Sequence, residues 1–459
     1  MITEYRSQRT LFRLFLASTA MATVAACGGG GGGSSATNAG QGNPAFFQSD
    51  EFLSSDALQQ INADDGYARI PGVVGGDGVR VAVIDDGIDQ DHIDLSGNII
   101  ANRVFVGQTE LDNDNEGITS LGPDGHGTAV AGIIAGAKND TGSHGVAFDS
   151  KIISLDIFSV DDDSTNGSDT TRNIVSALQI VGDPSSDFEA DIINMSLSSR
   201  TDGSAARNAE IAAIGQAMAA AAGNGKIIVV SAGNDGAANP NFPAQFVALS
   251  GVQGLGIAVG SVDADNGTSS FSNGCGGDDV ARFCMVAPGE SVETTLINDR
   301  FGGATGTSFA APLVAGSAAV IKAAFPGIGS RDVVNRLLST ARDLGAAGTD
   351  AIFGRGLLDL DAALSPVGQT SVSVADSIDG AQLPTTSTQV SFDSSVSLSG
   401  DAKDLLGSVM VLDEQNFPFL VDLNNAVDQR SRTTGIESFI GADRSQSSVM
   451  TTDNGSFSL

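Results

Sequence analysis

Three side chains in this sequence carry the functional groups of an acyl-transfer centre: Asp85 in "VIDDGID", His126 in "GPDGHGTAVAG" and Ser308 in "GTSFAAP". A serine hydroxyl is a weak nucleophile until an imidazole takes its proton. The imidazole does this best when a carboxylate orients it and stabilises its charged form. Such a centre also needs donors for the negative charge of a tetrahedral intermediate. Asn234, in "VVSAGNDG", offers a side-chain amide. The backbone N–H of Ser308, at a helix start, offers a second donor with the helix dipole behind it. Each residue also has a plainer reading: Asp85 could end a strand, Ser308 could cap a helix, and His126 could be structural.

For these residues to meet, the chain must bring distant segments to one edge. "VRVAVI" (79–84), "KIISLDIF" (151–158), "DIINMSL" (191–197), "KIIVVSAG" (226–233) and "GIAVGSV" (256–262) are short, nearly continuous apolar runs. Strands of that kind are buried on both faces, as in a parallel sheet covered by helices. Helical patterns lie between or after them at 128–137, 171–181, 204–222 and 330–341. Another follows Ser308, with Pro312 in its first turns, where a missing N–H costs little. "FGRGLLDLDAAL" (353–364) closes the domain. This alternation predicts an α/β fold with right-handed crossovers, in which ligands bind beyond the carboxyl ends of the strands. Asp85, His126 and Ser308 all fall at such positions.

Taken in order, "VAVIDDGID", "GHGTAVAG", "INMSLS", "VVSAGNDG" and "GTSFAAPLVAG" resemble the successive motifs of the subtilisin-like serine proteases, over about residues 65–365. The resemblance implies a subtilisin-like parallel-sheet three-layer sandwich and a serine endopeptidase acting on polypeptides through an acyl-enzyme. Asp85 would be the triad acid, His126 the base, Ser308 the nucleophile and Asn234 the oxyanion donor. Ser196, Leu197 and Ser198 would lie beside an extended substrate strand, and Phe242 would wall a substrate pocket. Asp86, in a slot usually held by a small polar residue, is expected to be a bystander. His92 and His144 are expected to be structural. No cofactor is required; calcium is an optional structural ion in the family, and "DDDSTNGSD" (161–169) offers oxygen ligands. The competing expectation is a surface binding protein that keeps this scaffold without turnover.

The ends of the chain point to export. Arg6, Arg9 and Arg13 precede the apolar run Leu14–Ala26, which is too short to span a bilayer and reads as a signal peptide. It ends in "VAAC", similar to the lipobox of bacterial lipoproteins, making Cys27 the expected lipidation site. The Gly/Ser-rich stretch 28–48 reads as a tether, 49–365 as the peptidase domain, and 366–459 as a Ser/Thr/Asp-rich β-rich or extended tail. The expected location is the bacterial outer membrane or cell surface, held by a lipid anchor. A lipobox, a glycine tether and a cysteine pair before "APG" together resemble the proteases of bacterial autotransporters. The tail, however, lacks the repeated amphipathic strands of their barrels. In an oxidising compartment Cys275 and Cys284 are expected to form one disulfide. A net charge of −32 excludes nucleic acid as a partner, since no basic stripe offsets it.

Overall fold

The computed structural model describes residues 44–70, 75–106, 109–112, 125–158, 168–198 and 203–373, with short tail segments at 382–384, 391–392, 409–421, 449–452 and 455–458. Cys27 and residues 161–167 of the acidic stretch lie outside the described residues.

Eight strands form one sheet: β1 (Arg80–Asp85), β2 (Ile99–Val106), β3 (Thr109–Asp112), β4 (Lys151–Asp156), β5 (Ile192–Met195), β6 (Ile227–Ser231), β7 (Gly256–Val262) and β8 (Cys284–Pro288). Their order is β3-β2-β4-β1-β5-β6-β7-β8. β3 is antiparallel to β2, and the other seven strands are parallel. Every residue of β5, β6, β7 and β8 is buried, because helices cover both faces. The helices are α1 (Asp50–Leu53), α2 (Asp56–Gln60), α3 (Ala63–Arg69), α4 (His126–Ala135), α5 (Ser168–Gly182), α6 (Ala205–Gly223), α7 (Asp278–Ala281), α8 (Thr307–Ala324), α9 (Ser330–Thr340) and α10 (Leu360–Leu364). α4 and α8 pack on each other and on the sheet, while α5 and α6 form a second pair against it. α8 is apolar enough and long enough to cross a membrane, yet here it is a buried core helix running over β5 to β8. This is the helix-covered parallel sheet that the apolar runs predict, in the three-layer arrangement that the resemblance implies.

Two parallel strands escape the pattern reading. β2 interrupts its apolar residues with Asn102 and Arg103, and β8 is only "CMVAP". An antiparallel hairpin, β9 (Val292–Leu296) with β10 (Arg300–Ala304), lies over α4. Thr294 and Thr295 donate their hydroxyls to Ala129 O at 2.7 Å and Thr128 O at 2.8 Å. A Cβ at Gly132 would overlap both hydroxyls, so the small residues of α4 are what admit the hairpin. Cys275 and Cys284 are joined by a disulfide, with Cα atoms 5.6 Å apart.

The segment before β1 closes the domain with the segment at 353–364. Phe52, Ile61 and Tyr67 are buried, and Tyr67 Oη donates to Val146 O at 2.6 Å. Asn62 Nδ2 donates to Asp359 Oδ2 at 2.9 Å, and Arg69 pairs with Asp361 at 2.6 Å. His144 sits among Phe52, Tyr67 and Phe148, with ring centroids at 5.9, 6.4 and 5.1 Å. Its Nδ1 donates to Gly145 O at 2.8 Å, while Nε2 is buried without a hydrogen-bond partner among the described residues.

Burial, assisted by the Lys138 charge, lowers the pKa of His144 from 6.5 to about 4. The unfolded chain therefore takes up this proton first as pH falls, and the neutral ring's stabilising contribution is lost between roughly pH 6.5 and 4. The window corresponds to about 3 kcal/mol. His144→Leu is expected to flatten stability across that window while leaving it within ~1 kcal/mol of the parent at pH 7. Urea unfolding at pH 7 and in acid checks this, and an unchanged pH dependence would refute it.

After residue 365 the described strands are short. Ser371–Ser373, Gln382–Pro384, Val409–Leu412 and Pro418–Val421 form one antiparallel sheet, and Ser391–Phe392, Val449–Thr452 and Gly455–Ser458 form another. The hairpin 409–421 is seated on the peptidase core. Phe417 is buried and packs edge-on against Phe325 at the end of α8, with centroids 5.0 Å apart.

Candidate active site

Asp85 is the last residue of β1 and His126 the first of α4. His126 Nδ1 donates to Asp85 Oδ1 at 2.7 Å, with Asp85 only 3% exposed. That bond puts the neutral ring's proton on Nδ1 and makes Nε2 the basic nitrogen. Ser308 is the second residue of α8. The His126 ring lies 5.2 Å, centroid to centroid, from that of Phe309, the next residue, so the imidazole stands against the first turn of α8.

Pro312 explains how Ser308 is held. It lies inside α8 and cannot donate to the carbonyl four residues back, which is that of Ser308. The Ser196 hydroxyl takes this place, donating to Ser308 O at 2.7 Å. In return Ser308 Oγ donates to Ser196 O at 3.3 Å. Asn194 Nδ2 donates to Ser196 Oγ at 2.9 Å, which fixes the hydroxyl's direction. The side chain of Ser196 thus faces the nucleophile helix. Leu197 is half-buried and Ser198 exposed at the end of the same segment. Phe242 is half-buried and packs on Phe246, with centroids 5.0 Å apart.

Asn234 follows β6 on an exposed turn. Its Oδ1 accepts from Thr307 N at 2.9 Å and from Thr307 Oγ1 at 2.8 Å. With the oxygen so engaged, Nδ2 is presented beside Gly306, where an added Cβ would lie 3.3 Å from it. Gly306 has φ +151°, a conformation L side chains rarely adopt. The N–H of Ser308, in the first turn of α8, has no partner within the helix. Thr307 is the residue sequence reasoning misses here. The signal was a hydroxyl beside the serine, whose use depends on Asn234.

Asp86 touches the same centre. Its Oδ1 accepts from Gly127 N at 2.6 Å and its Oδ2 from His126 N at 3.3 Å. Burial and the neighbouring Asp85 push its carboxyl up to about 6, against the lowering effect of these hydrogen bonds and of His126. Asp86 is therefore a contact of the backbone of His126, in place of the bystander expected from its slot. Asp85, Asp86 and His126 each have a donor atom within 4.8 Å of the others, a spacing able to hold a cation. Three of the carboxylate oxygens instead accept N–H groups, from His126 Nδ1, His126 N and Gly127 N. This wiring suits proton transfer better than ion binding. His92, by contrast, donates from Nε2 to Arg300 O at 3.1 Å and is fully buried away from this group.

Residues 76–356 match the model of the subtilase family, Peptidase_S8. The chain belongs to the subtilase family. Subtilisin DY of Bacillus licheniformis is 32% identical to this subtilase over 292 residues, covering 63% of this chain and 91% of that protein. Alkaline elastase YaB of Bacillus sp. (strain YaB) is 34% identical over 289 residues, covering 63% and 65% respectively. A solved protease structure from Pseudoalteromonas arctica superposes with a TM-score of 0.52 at 27% identity, covering 69% of this chain and 98% of that one. This subtilase is a serine-type endopeptidase, and its substrate is a polypeptide.

Proposed function

We propose that this subtilase hydrolyses peptide bonds through an acyl-enzyme on Ser308, with His126 as general base and then general acid, and Asp85 as the orienting carboxylate. The 2.7 Å contact between His126 Nδ1 and Asp85 Oδ1 carries the reading, because it directs Nε2 to act as the base. In the first half-reaction Ser308 Oγ attacks the scissile carbonyl carbon while its proton passes to Nε2. The carbonyl oxygen becomes an oxyanion held by Asn234 Nδ2 and Ser308 N–H. Collapse returns the proton to the leaving amine, and water repeats the sequence to release the acid. Acid, base, nucleophile and charge-stabilising donors are all groups of this chain, so the reaction calls for no cofactor. Calcium would be structural.

The backbone of Ser196–Ser198 would pair with an extended substrate strand, and Phe242 would form part of a side-chain pocket. The N-terminal arginines, the apolar run and Cys27 support export and lipid anchoring at the bacterial outer membrane or cell surface, in the manner of the lipoprotein and autotransporter-type members. A serine-directed fluorophosphonate is expected to label the full-length protein at Ser308, as located by peptide mass mapping, and the label is expected to disappear in Ser308→Ala. Labelling that persists in the variant would move the nucleophile elsewhere.

A further inference from the structure

The N-cap position of α4 is Gly125, at φ +63°, and it has no side chain with which to satisfy the helix's first N–H groups. Those groups belong to His126 and Gly127. An uncapped helix start frays, and here fraying would displace the residue whose imidazole must meet Ser308. Asp86 reaches across from the end of β1 and accepts from both N–H groups. Gly127 makes this approach possible, since a Cβ there would overlap the Gly87 carbonyl oxygen and lie 3.1 Å from Asp86 Oδ1. Two consecutive acids thus divide one histidine between them: Asp85 holds its ring and Asp86 its backbone.

We infer that Asp86 is a positioning residue for His126, fixing the backbone from which the imidazole projects and adding a second anion that favours the imidazolium formed during turnover. The inference rests on the triad reading above. A serine or asparagine in this slot would supply an acceptor without the charge, whereas the carboxylate also complements the positive end of α4. Among the described residues the charged groups that act on Asp86 are Asp85 from β1 and His126 from α4. Because burial brings the Asp86 carboxyl near neutrality, the clamp loses its charge in mild acid. The acid limb of the rate profile is then a property of the coupled group.

The test is the pH profile of kcat and kcat/KM for a peptide anilide, measured on the full chain and on Asp86→Asn and Asp86→Ala. Asp86→Asn keeps shape and one acceptor. It is expected to lower kcat about tenfold with KM unchanged, and to move the acid limb of kcat/KM down by about one pH unit, because a neighbouring anion no longer favours the protonated ring. Asp86→Ala, which also uncaps α4, is expected to lower kcat by roughly 100-fold. An acid limb that stays in place in Asp86→Asn overturns the inference, whether or not kcat or thermal stability falls, since a purely structural role would leave the limb fixed. If Asp86→Ala does not fold, Asp86→Asn decides alone. Failure of the triad reading would show separately, as a parent protein that neither turns over nor takes the phosphonate at Ser308.

Discussion

Ser308→Ala is expected to lower kcat for amide hydrolysis by about 10⁶-fold, the size of loss seen when a subtilisin loses its nucleophile or base. KM should change little, because the segments proposed to bind the substrate are untouched. His126→Ala should produce a loss of the same order, and the double variant should be no worse than either single one. Non-additivity of this kind follows from the proposed roles. The hydroxyl without its base is a poor nucleophile, and the base without the hydroxyl has no proton to take. A residual rate some 10³-fold above the spontaneous reaction should survive, supplied by the oxyanion donors and by binding. Steady-state kinetics on the three variants check this. Losses that multiply in the double variant would mean that Ser308 and His126 act separately, and a single variant keeping more than about 1% of kcat would remove that residue from the chemistry.

The second large effect is on stability. Arg336 of α9 and Asp413 in the hairpin 409–421 are an ion pair in which both side chains are 0% exposed. Asp413 is used fully. One oxygen meets Arg336 and accepts from Val367 N at 3.0 Å; the other accepts from Gln415 N at 2.9 Å and from Phe417 N at 3.0 Å. The guanidinium lies 3.9 Å from the centroid of the Phe417 ring. Burial holds its pKa below the usual arginine range, and Asp413 opposes that.

Asp413→Asn would keep acceptors for the turn but strand a buried cation, at an expected loss of about 3–5 kcal/mol. Adding Arg336→Leu removes the stranded charge and should recover most of that loss. Denaturant unfolding of the two singles and the double decides it, and a double variant no more stable than Asp413→Asn would show that the pair is not coupled. The same contacts predict that a chain ending at residue 365 is destabilised at least as much, because Arg336 and the Phe325 ring would lose their cover.

Asp85, His126 and Ser308 are legible as candidates for the proposed triad because each sits where an apolar strand ends or a helix begins, a position readable from the local pattern. The contacts of Asp86 are not legible, for the opposite reason. Its partners are N–H groups 40 and 41 residues away, and nothing near it in sequence separates a clamp from a spectator. The Ser196–Ser308 exchange is not legible, and the expectation that the missing N–H of Pro312 costs little is corrected by it. Pro312 deprives the carbonyl of Ser308 of its helical donor, but which hydroxyl replaces that donor depends on β5 lying beside α8. Arg336 looks like a solvent-facing charge on an amphipathic helix, since Asp413, 77 residues later, is what draws it inside. β2 and β8 were hidden by polar or short sequences whose burial comes from neighbouring strands.

The proposed acid, base, amide donor and nucleophile are laid down in that order along the chain, and the helix bearing the last of them fills the space over β5, β6, β7 and β8. A chain still emerging during synthesis has β1 and α4 long before α8 can be inserted, and contacts so distant in sequence form late. With the proposed triad, hydrolytic power therefore arrives as one of the final events of folding, once α8 is in place.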